Sequence, residues 1–389
     1  MIDATRATVA RLVGGRRGTI AGATVAVLGA LGALGLLFPA SPAGTLARAV
    51  FAAGTVASAL RLSVPIALAA LGGIFAEKSG VINIGLEGLL IVAAFAAVYA
   101  MDVTDSLVVA FLSGVLASTL LAGLFAVVCI EFRADQIIAG LAVWLIALGL
   151  APFASQVIYE APNTDSVRTV PTASELVGAL PGAGDLPARI DPPTIGVGVL
   201  DAVFAVVVGL LGRVVLFVAE VLLASSLSVY LMVLAVVLSW YVLYRTRFGR
   251  WIHASGENPK ALDTAGVRVD RVRYAAVLLS GVLSGLGGAA LSLGLGQFTG
   301  NGATMVNGKG FIAIVAYLFG NYNPVGAFLS TLLFAGLQAV QNPLQLADIG
   351  VPDPLIRITP FVMVVVVLAL VGRTRLPSAA GEHYESGEE

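Results

Sequence analysis

Apolar stretches of about 20 residues with few charges recur along this chain, and a stretch of that length crosses a bilayer as a helix. They run from Ile20 to Phe38, Ala47 to Phe75, Val81 to Met101, Leu107 to Ile130, Ile137 to Ile158, Leu227 to Tyr244, Tyr274 to Leu295, Phe311 to Gly320, Val325 to Val340 and Leu355 to Gly372. Hydrophobic residues make up 58% of the chain and charged ones 12%, a balance that one water-soluble globule of 389 residues cannot bury. Alternating strand patterns are absent, and amides in hydrocarbon must pair within their own segment, which argues against a β-barrel. The expected fold is an all-α polytopic membrane protein of about ten spans, some of them broken or half-length.

Basic residues set the orientation. Arg6, Arg11, Arg16 and Arg17 precede the first span; Arg245, Arg247, Arg250, Lys260, Arg268, Arg271 and Arg273 crowd one loop; Arg373 and Arg375 follow the last span. With these clusters in the cytoplasm both termini lie there, Lys78 and Arg133 also fall inside, and the parity of the spans closes. The expected organisation is a cytoplasmic tail at 1–18, a membrane domain at 19–376 and an acidic disordered tail at 377–389 carrying Glu382, Glu385, Glu388 and Glu389. Within the membrane domain, 159–225 is an external elaboration and 245–273 a cytoplasmic loop. The first apolar run imitates a signal peptide, but it is too long and Phe38-Pro39-Ala40 is a poor cleavage site. Asp201 to Glu220 is expected not to cross, because a crossing there would turn the basic loop outward.

Polar groups inside spans mark a pathway or a structural pair, since an ionisable residue at mid-membrane is expensive. Arg61 precedes Ser63 and Pro65, Gln136 opens the fifth span, and Asn83 and Glu87 stand four apart, which in a helix places them on one face. The glycines around them, in Glu77-Lys78-Ser79-Gly80-Val81-Ile82-Asn83-Ile84-Gly85-Leu86-Glu87-Gly88, allow close helix approach or a break. Glu87 then either lines a pathway or is solvated or hydrogen-bonded to a neighbouring helix. A second interruption lies where Gly300, Gly302, Gly308, Gly310 and Gly320 bracket a half-length helix that ends in Asn321-Tyr322-Asn323-Pro324. Two such breaks, one in each half, are the pattern of repeats around a central site.

The basic loop contains a polar island, Gly256 to Gly266, that reads as a short capped helix. Asn258 suits the N-cap, Pro259 the first helical position and Gly266 the left-handed end. Apolar spans flank it and it has little core to bury, so it fits a docking element for a partner. Enzyme chemistry is poorly supported: the histidines, His253 and His383, stand apart from carboxylates and cysteines, and Cys129 lies in an apolar run. Gly302 to Gly310 does not spell a phosphate loop, since Ala303 and Gly310 occupy positions that need glycine and a hydroxyl residue.

Three passages carry a resemblance to permease subunits of ABC importers in the simple-sugar, nucleoside and branched-chain amino acid group, most closely the nucleoside/simple-sugar branch. Glu77 to Gly88 is similar to that branch's E-[RK]-S-G-V-x-N-I-G-L-E-G signature. Arg245 to Arg250, Gly256-Glu257-Asn258-Pro259 and Ala265-Gly266 continue into Arg273-Tyr274 and Ser280-Gly281. Gly308 to Ala316, before Asn323-Pro324, is a looser match.

The resemblance implies an importer half that pairs with a sister permease, two ATP-binding-cassette ATPase subunits and an external substrate-binding lipoprotein. It implies no nucleic acid and no cofactor on this chain, ATP being used by the partners. The capped helix would be the coupling helix, with Gly249, Gly256, Glu257, Asn258, Pro259, Ala261, Leu262 and Gly266 shaping or contacting the ATPase groove. Asn83, Glu87, Lys309 and Phe311 would lie near the translocation path, and Phe311 and Phe95 could stack on a base. Nucleosides are the favoured cargo and simple sugars the next. The alternative is a self-contained ion-coupled secondary transporter, which suits broken helices equally but has no use for the docking element.

Overall fold

The computed structural model describes residues 50–178, 212–346 and 376–384, with single helical residues at 44, 47, 48, 355, 358, 362 and 365. The expected tail at 1–18, the expected span at Ile20 to Phe38, and most of Leu355 to Gly372 and Asp201 to Glu220 lie outside the described residues. Regular structure among the described residues is helical, with two isolated β-bridges, Asn163 with Thr299 and Thr172 with Ser226. The main helices are α1 (Ala53–Lys78), α2 (Leu86–Thr104), α3 (Leu107–Ala126, extended by a π turn over Val127–Glu131), α4 (Gln136–Tyr159) and α5 (Leu227–Arg245). They continue as α6 (Arg247–Glu257), α7 (Pro259–Thr264), α8 (Val269–Leu295), α9 (Lys309–Phe319) and α10 (Pro324–Leu346). Seven described helices are long and apolar enough to cross a membrane: α1 to α5, α8 and α10.

The bundle is built around α8, which packs on α1, α2 and α3. Small residues allow it, because lipid tails give apolar side chains little reason to prefer each other and close backbone approach supplies the attraction instead. A Cβ on Gly285 would stand 2.6 Å from Val115 Cα, and one on Gly288 2.4 Å from Leu90 O. Ser118 Oγ donates to Gly281 O at 2.8 Å across the same seam. The opposite faces of α3 and α4 expose Leu112, Leu116, Leu120, Leu145 and Leu150, as a lipid-facing or partner-facing surface does.

The two ends of the bundle differ. One gathers the C-terminus of α1, the starts of α4 and α8, and the basic loop 245–273; Tyr274 OH donates to Glu131 there at 3.2 Å. At the other end residues 164–170 run over the C-terminus of α8, with Val167 N–H donating to Gly296 O and Val170 N–H to Leu293 O.

One expected span is corrected, and another takes the half-length form expected of it. Val81 to Met101 begins instead at Leu86, after a non-helical stretch at 79–85 in which Gly80 holds φ +99. Phe311 to Gly320 is the 11-residue α9, about 16 Å long and so half of a bilayer of about 30 Å. Irregular chain at 297–308 leads from the Thr164–Phe298 contact at one end of the bundle to Glu87 and the start of α9.

Candidate functional site

A helix that begins inside a bundle leaves its first amides without partners. α9 begins in this way, after Gly308 in the left-handed region at φ +81, and Glu87 meets the need. Its Oε1 accepts from Gly308 N–H at 2.7 Å and its Oε2 from Gly310 N–H at 2.6 Å. The helix dipole favours a carboxylate at that end. Gly310 is obligatory, since a Cβ there would lie 2.4 Å from the Glu87 nitrogen. Lys309 Nζ turns back to Met305 O at 3.1 Å and Val306 O at 3.2 Å, placing its charge beside the Glu87 carboxylate.

Asn83 does not share a helical face with Glu87, as the four-residue spacing suggested, because the chain between them is not helical. Its Oδ1 instead accepts from Gly85 N–H at 3.0 Å, closing a local turn that competes with helix, and its Nδ2 donates to Ser280 Oγ at 3.2 Å. Ser280 lies on the order of 16 Å along α8 from its start, which sets the break at depth rather than at a surface. Phe311 packs edge-on against Trp144 at 5.5 Å. Phe95 stands apart, about 12 Å further along α2, where its ring stacks on Tyr99 and meets Phe298 edge to face. Arg61 is exposed on α1 and donates to Ser58 Oγ, while Gln136 Oε1 accepts from Ile82 N–H and so ties the break to α4.

Three residues of this site were not singled out from sequence. Glu77, 5% exposed at the end of α1, accepts from Tyr317 OH through Oε1 and from Tyr322 OH through Oε2, the latter at 2.7 Å. The pairings span more than 200 residues, and the one local signal was a carboxylate at the end of an apolar helix.

At the basic end, α6 and α7 form a foot. Thr246 Oγ1 accepts from Gly249 N–H to start α6, and Asn258 Oδ1 accepts from Ala261 N–H to start α7, with Pro259 in the first turn. Gly266, φ +80, follows as its left-handed end. Gly249, Gly256 and Leu262 are buried and seat the foot: a Cβ would meet Val242 O at 2.2 Å from Gly249 and Lys78 O at 2.3 Å from Gly256. Glu257, Asn258, Lys260, Ala261 and Gly266 are exposed, with Pro259 half-buried. His253, in α6, keeps Nε2 buried without a hydrogen-bond partner; burial and the charge of Lys78 push it down to about 4, against the opposing pull of Glu257.

The segment 376–384, expected to belong to a solvated acidic tail, lies against this foot. Ala379 N–H donates to Gly256 O at 2.8 Å, Gly381 N–H to Gly80 O at 2.9 Å, Ser378 Oγ to Glu257 Oε2 at 3.0 Å and Tyr384 OH to Asp263 Oδ2 at 2.9 Å. Arg273 Nη1 donates to Glu382 O at 2.8 Å. Within 376–384 the one acidic residue, Glu382, takes part through its backbone carbonyl, and the other bonds come from backbone amides and the Ser378 and Tyr384 hydroxyls, so the acidic composition does not oppose them.

The family described as branched-chain amino acid transport system / permease component matches residues 55–371. The chain is 33% identical to the nucleoside ABC transporter permease protein NupC of Lactococcus lactis subsp. cremoris, over 85% of this chain and 96% of that one. It is 32% identical to the guanosine ABC transporter permease protein NupQ of Bacillus subtilis, over 86% and 97%. With the putative glucose ABC transporter permease protein TsgC13 of Haloferax volcanii the identity is 30%, over 75% and 78%. No solved structure matches the chain significantly.

Proposed function

The chain belongs to the branched-chain amino acid transport system / permease component family, and on that footing we propose that it passes nucleosides inward. It is a membrane permease subunit of an ATP-binding-cassette importer, a multi-pass protein of the cell membrane that associates with ATPase subunits and a substrate-binding protein. The nucleoside assignment is supported by the relatives named for nucleosides and guanosine, at 33% and 32% identity over 85% and 86% of this chain, against 30% over 75% for the putative glucose permease. A self-contained ion-coupled carrier is not favoured.

The finer assembly we propose is one sister permease, two ATPase subunits gripping the feet and an external lipoprotein delivering cargo, with about ten spans, both termini and the basic end cytoplasmic. The chain itself holds no cofactor. The observation that carries this reading is the foot: a capped, polar, exposed α7 with Leu262 buried, following α6, which Gly256 seats on the end of α1. Mid-depth residues Asn83, Glu87, Lys309 and Phe311 are assigned to the path. Glu87 and Lys309 shape the start of α9, and Phe311 with Trp144 offers aromatic surface to a base. Phe95, already stacked on its own chain, is assigned a packing role there.

The test is uptake into vesicles holding the permease, its sister, the ATPase and the binding protein, with ATP hydrolysis measured across nucleosides and sugars. Nucleosides should stimulate hydrolysis and be accumulated, and the Glu257→Ala/Pro259→Ala variant should insert normally yet lose ATP-driven uptake. Stimulation by sugars alone would overturn the cargo, and uphill uptake by this chain without the ATPase would overturn the subunit role.

A further inference from the structure

α9 is gripped at both ends by one short stretch of chain. Glu87 holds its N-terminal amides at depth, and Glu77 holds Tyr317 near its C-terminus and Tyr322 in the turn beyond. That turn is tight: Asn321 and Tyr322 both hold positive φ, 54 and 57, conformations that persist only where surroundings fix them. The Lys78 ammonium stands 5.7 Å from the Tyr322 ring centroid and adds to the fixing. An 11-residue helix is too short to hold its shape unaided, so these end contacts define where α9 lies.

The same stretch is fastened to the foot. Ser255 Oγ, in α6, donates to Ser79 O at 2.7 Å, and Gly256 lies flush on Lys78 O. A displacement of the foot therefore enters the chain one or two residues from Glu77.

We propose that Glu77, Tyr317 and Tyr322 form a positioning cluster that carries movement of the foot into α9, so that α9 and residues 77–87 shift together and carry the mid-depth start of α9 across the path. This rests on the importer reading above, which supplies the moving foot. Spatial contiguity does not by itself show coupling, so the test reads coupling directly.

In the complete reconstituted transporter, with Cys129→Ala as background, Asn307→Cys places a thiol at the exposed residue just before Gly308. Its maleimide labelling rate should differ between nucleotide-free and ATP-trapped states. In Tyr317→Phe/Tyr322→Phe the complex should assemble and basal ATP hydrolysis persist, while the nucleotide dependence of labelling is lost and uptake per ATP falls about tenfold. Should the double variant fail to assemble, the single variants are read the same way. Glu77→Gln, which keeps an acceptor oxygen, should retain more coupling than Glu77→Ala. Wild-type labelling contrast and uptake per ATP in the phenylalanine variants would overturn the cluster's role and leave the importer intact. Absence of ATP-driven uptake by the unsubstituted transporter would instead overturn the importer reading.

Discussion

Replacing Gly310 by alanine tests the join between α9 and α2 with one methyl group. The new Cβ would lie 2.4 Å from the Glu87 nitrogen and 2.5 Å from its Cα, both backbone atoms that cannot rotate aside. Restoring ordinary contact moves the start of α9 back by about 1 Å, because the packed interior has no slack to absorb it. The bonds at 2.7 and 2.6 Å to Gly308 and Gly310 then stretch past hydrogen-bonding range. Each such bond to a charged group is worth about 1.5–3 kcal/mol, so the loss is about 3–6 kcal/mol. Alanine's better helix propensity returns only about 0.5–1 kcal/mol. The assay is thermal unfolding of the purified permease in detergent, with Gly149→Ala in α4 as control, where nothing lies within 4 Å of the new methyl. The control should hold or raise the midpoint; Gly310→Ala should lower it markedly and abolish ATP-driven uptake. A Gly310→Ala protein that melts and transports like the parent would refute the capped-helix account.

Asn258→Ala removes the α7 cap and should cost about 1 kcal/mol, read as faster hydrogen exchange at the Ala261 amide with the bundle unchanged. His253 has its folded pKa lowered to about 4 from 6.5, so its stabilising contribution is complete above pH 6.5 and is lost as pH falls from there towards 4. His253→Gln should therefore show a shallower fall in unfolding midpoint than the parent over that window. Truncation after residue 375 removes the bonds to Gly256, Gly80, Glu257 and Asp263, and should speed proteolysis within 245–273.

Legibility in the sequence followed the range of the interaction. Spans such as Leu107 to Ile130 were readable because lipid demands a continuous apolar run, and the cap at Asn258 because its bond reaches only three residues. α6 was hidden in the basic loop, since charge masks a helix when hydropathy is the signal. Its buried side, Gly249, Ile252, Ser255 and Gly256, nevertheless recurs every three or four residues. The Asn83–Glu87 face failed for a different reason: Ser79-Gly80 ends α1, and spacing arguments hold only within one element. No local pattern points from Glu87 to Gly308, 221 residues away. Lengths in the fold, rather than motifs, explain that pairing.

Gripping both ends of an 11-residue helix requires anchors about 16 Å apart. The eight residue steps from Lys78 to Leu86 would advance only about 12 Å as helix, and in the direction of α1, away from the bundle. Released from helix they reach up to about 26 Å and can double back, so Glu77 stays at the basic end while Glu87 returns to depth. The break is thus a fixed turn, held by Asn83 and Gln136, whose residue count matters more than the Ile84 side chain. Deleting Ile84 leaves up to about 23 Å of reach, enough for the span, but puts Asn83 directly before Gly85 and so breaks the turn that Asn83 Oδ1 closes on Gly85 N–H, which sets where α2 begins and where Glu87 stands. ATP-driven uptake should fail in that deletion and survive in Ile84→Ala, which keeps the length; equal uptake by the two would show that residues 79–85 are slack and that α9 is held by something other than its glutamates.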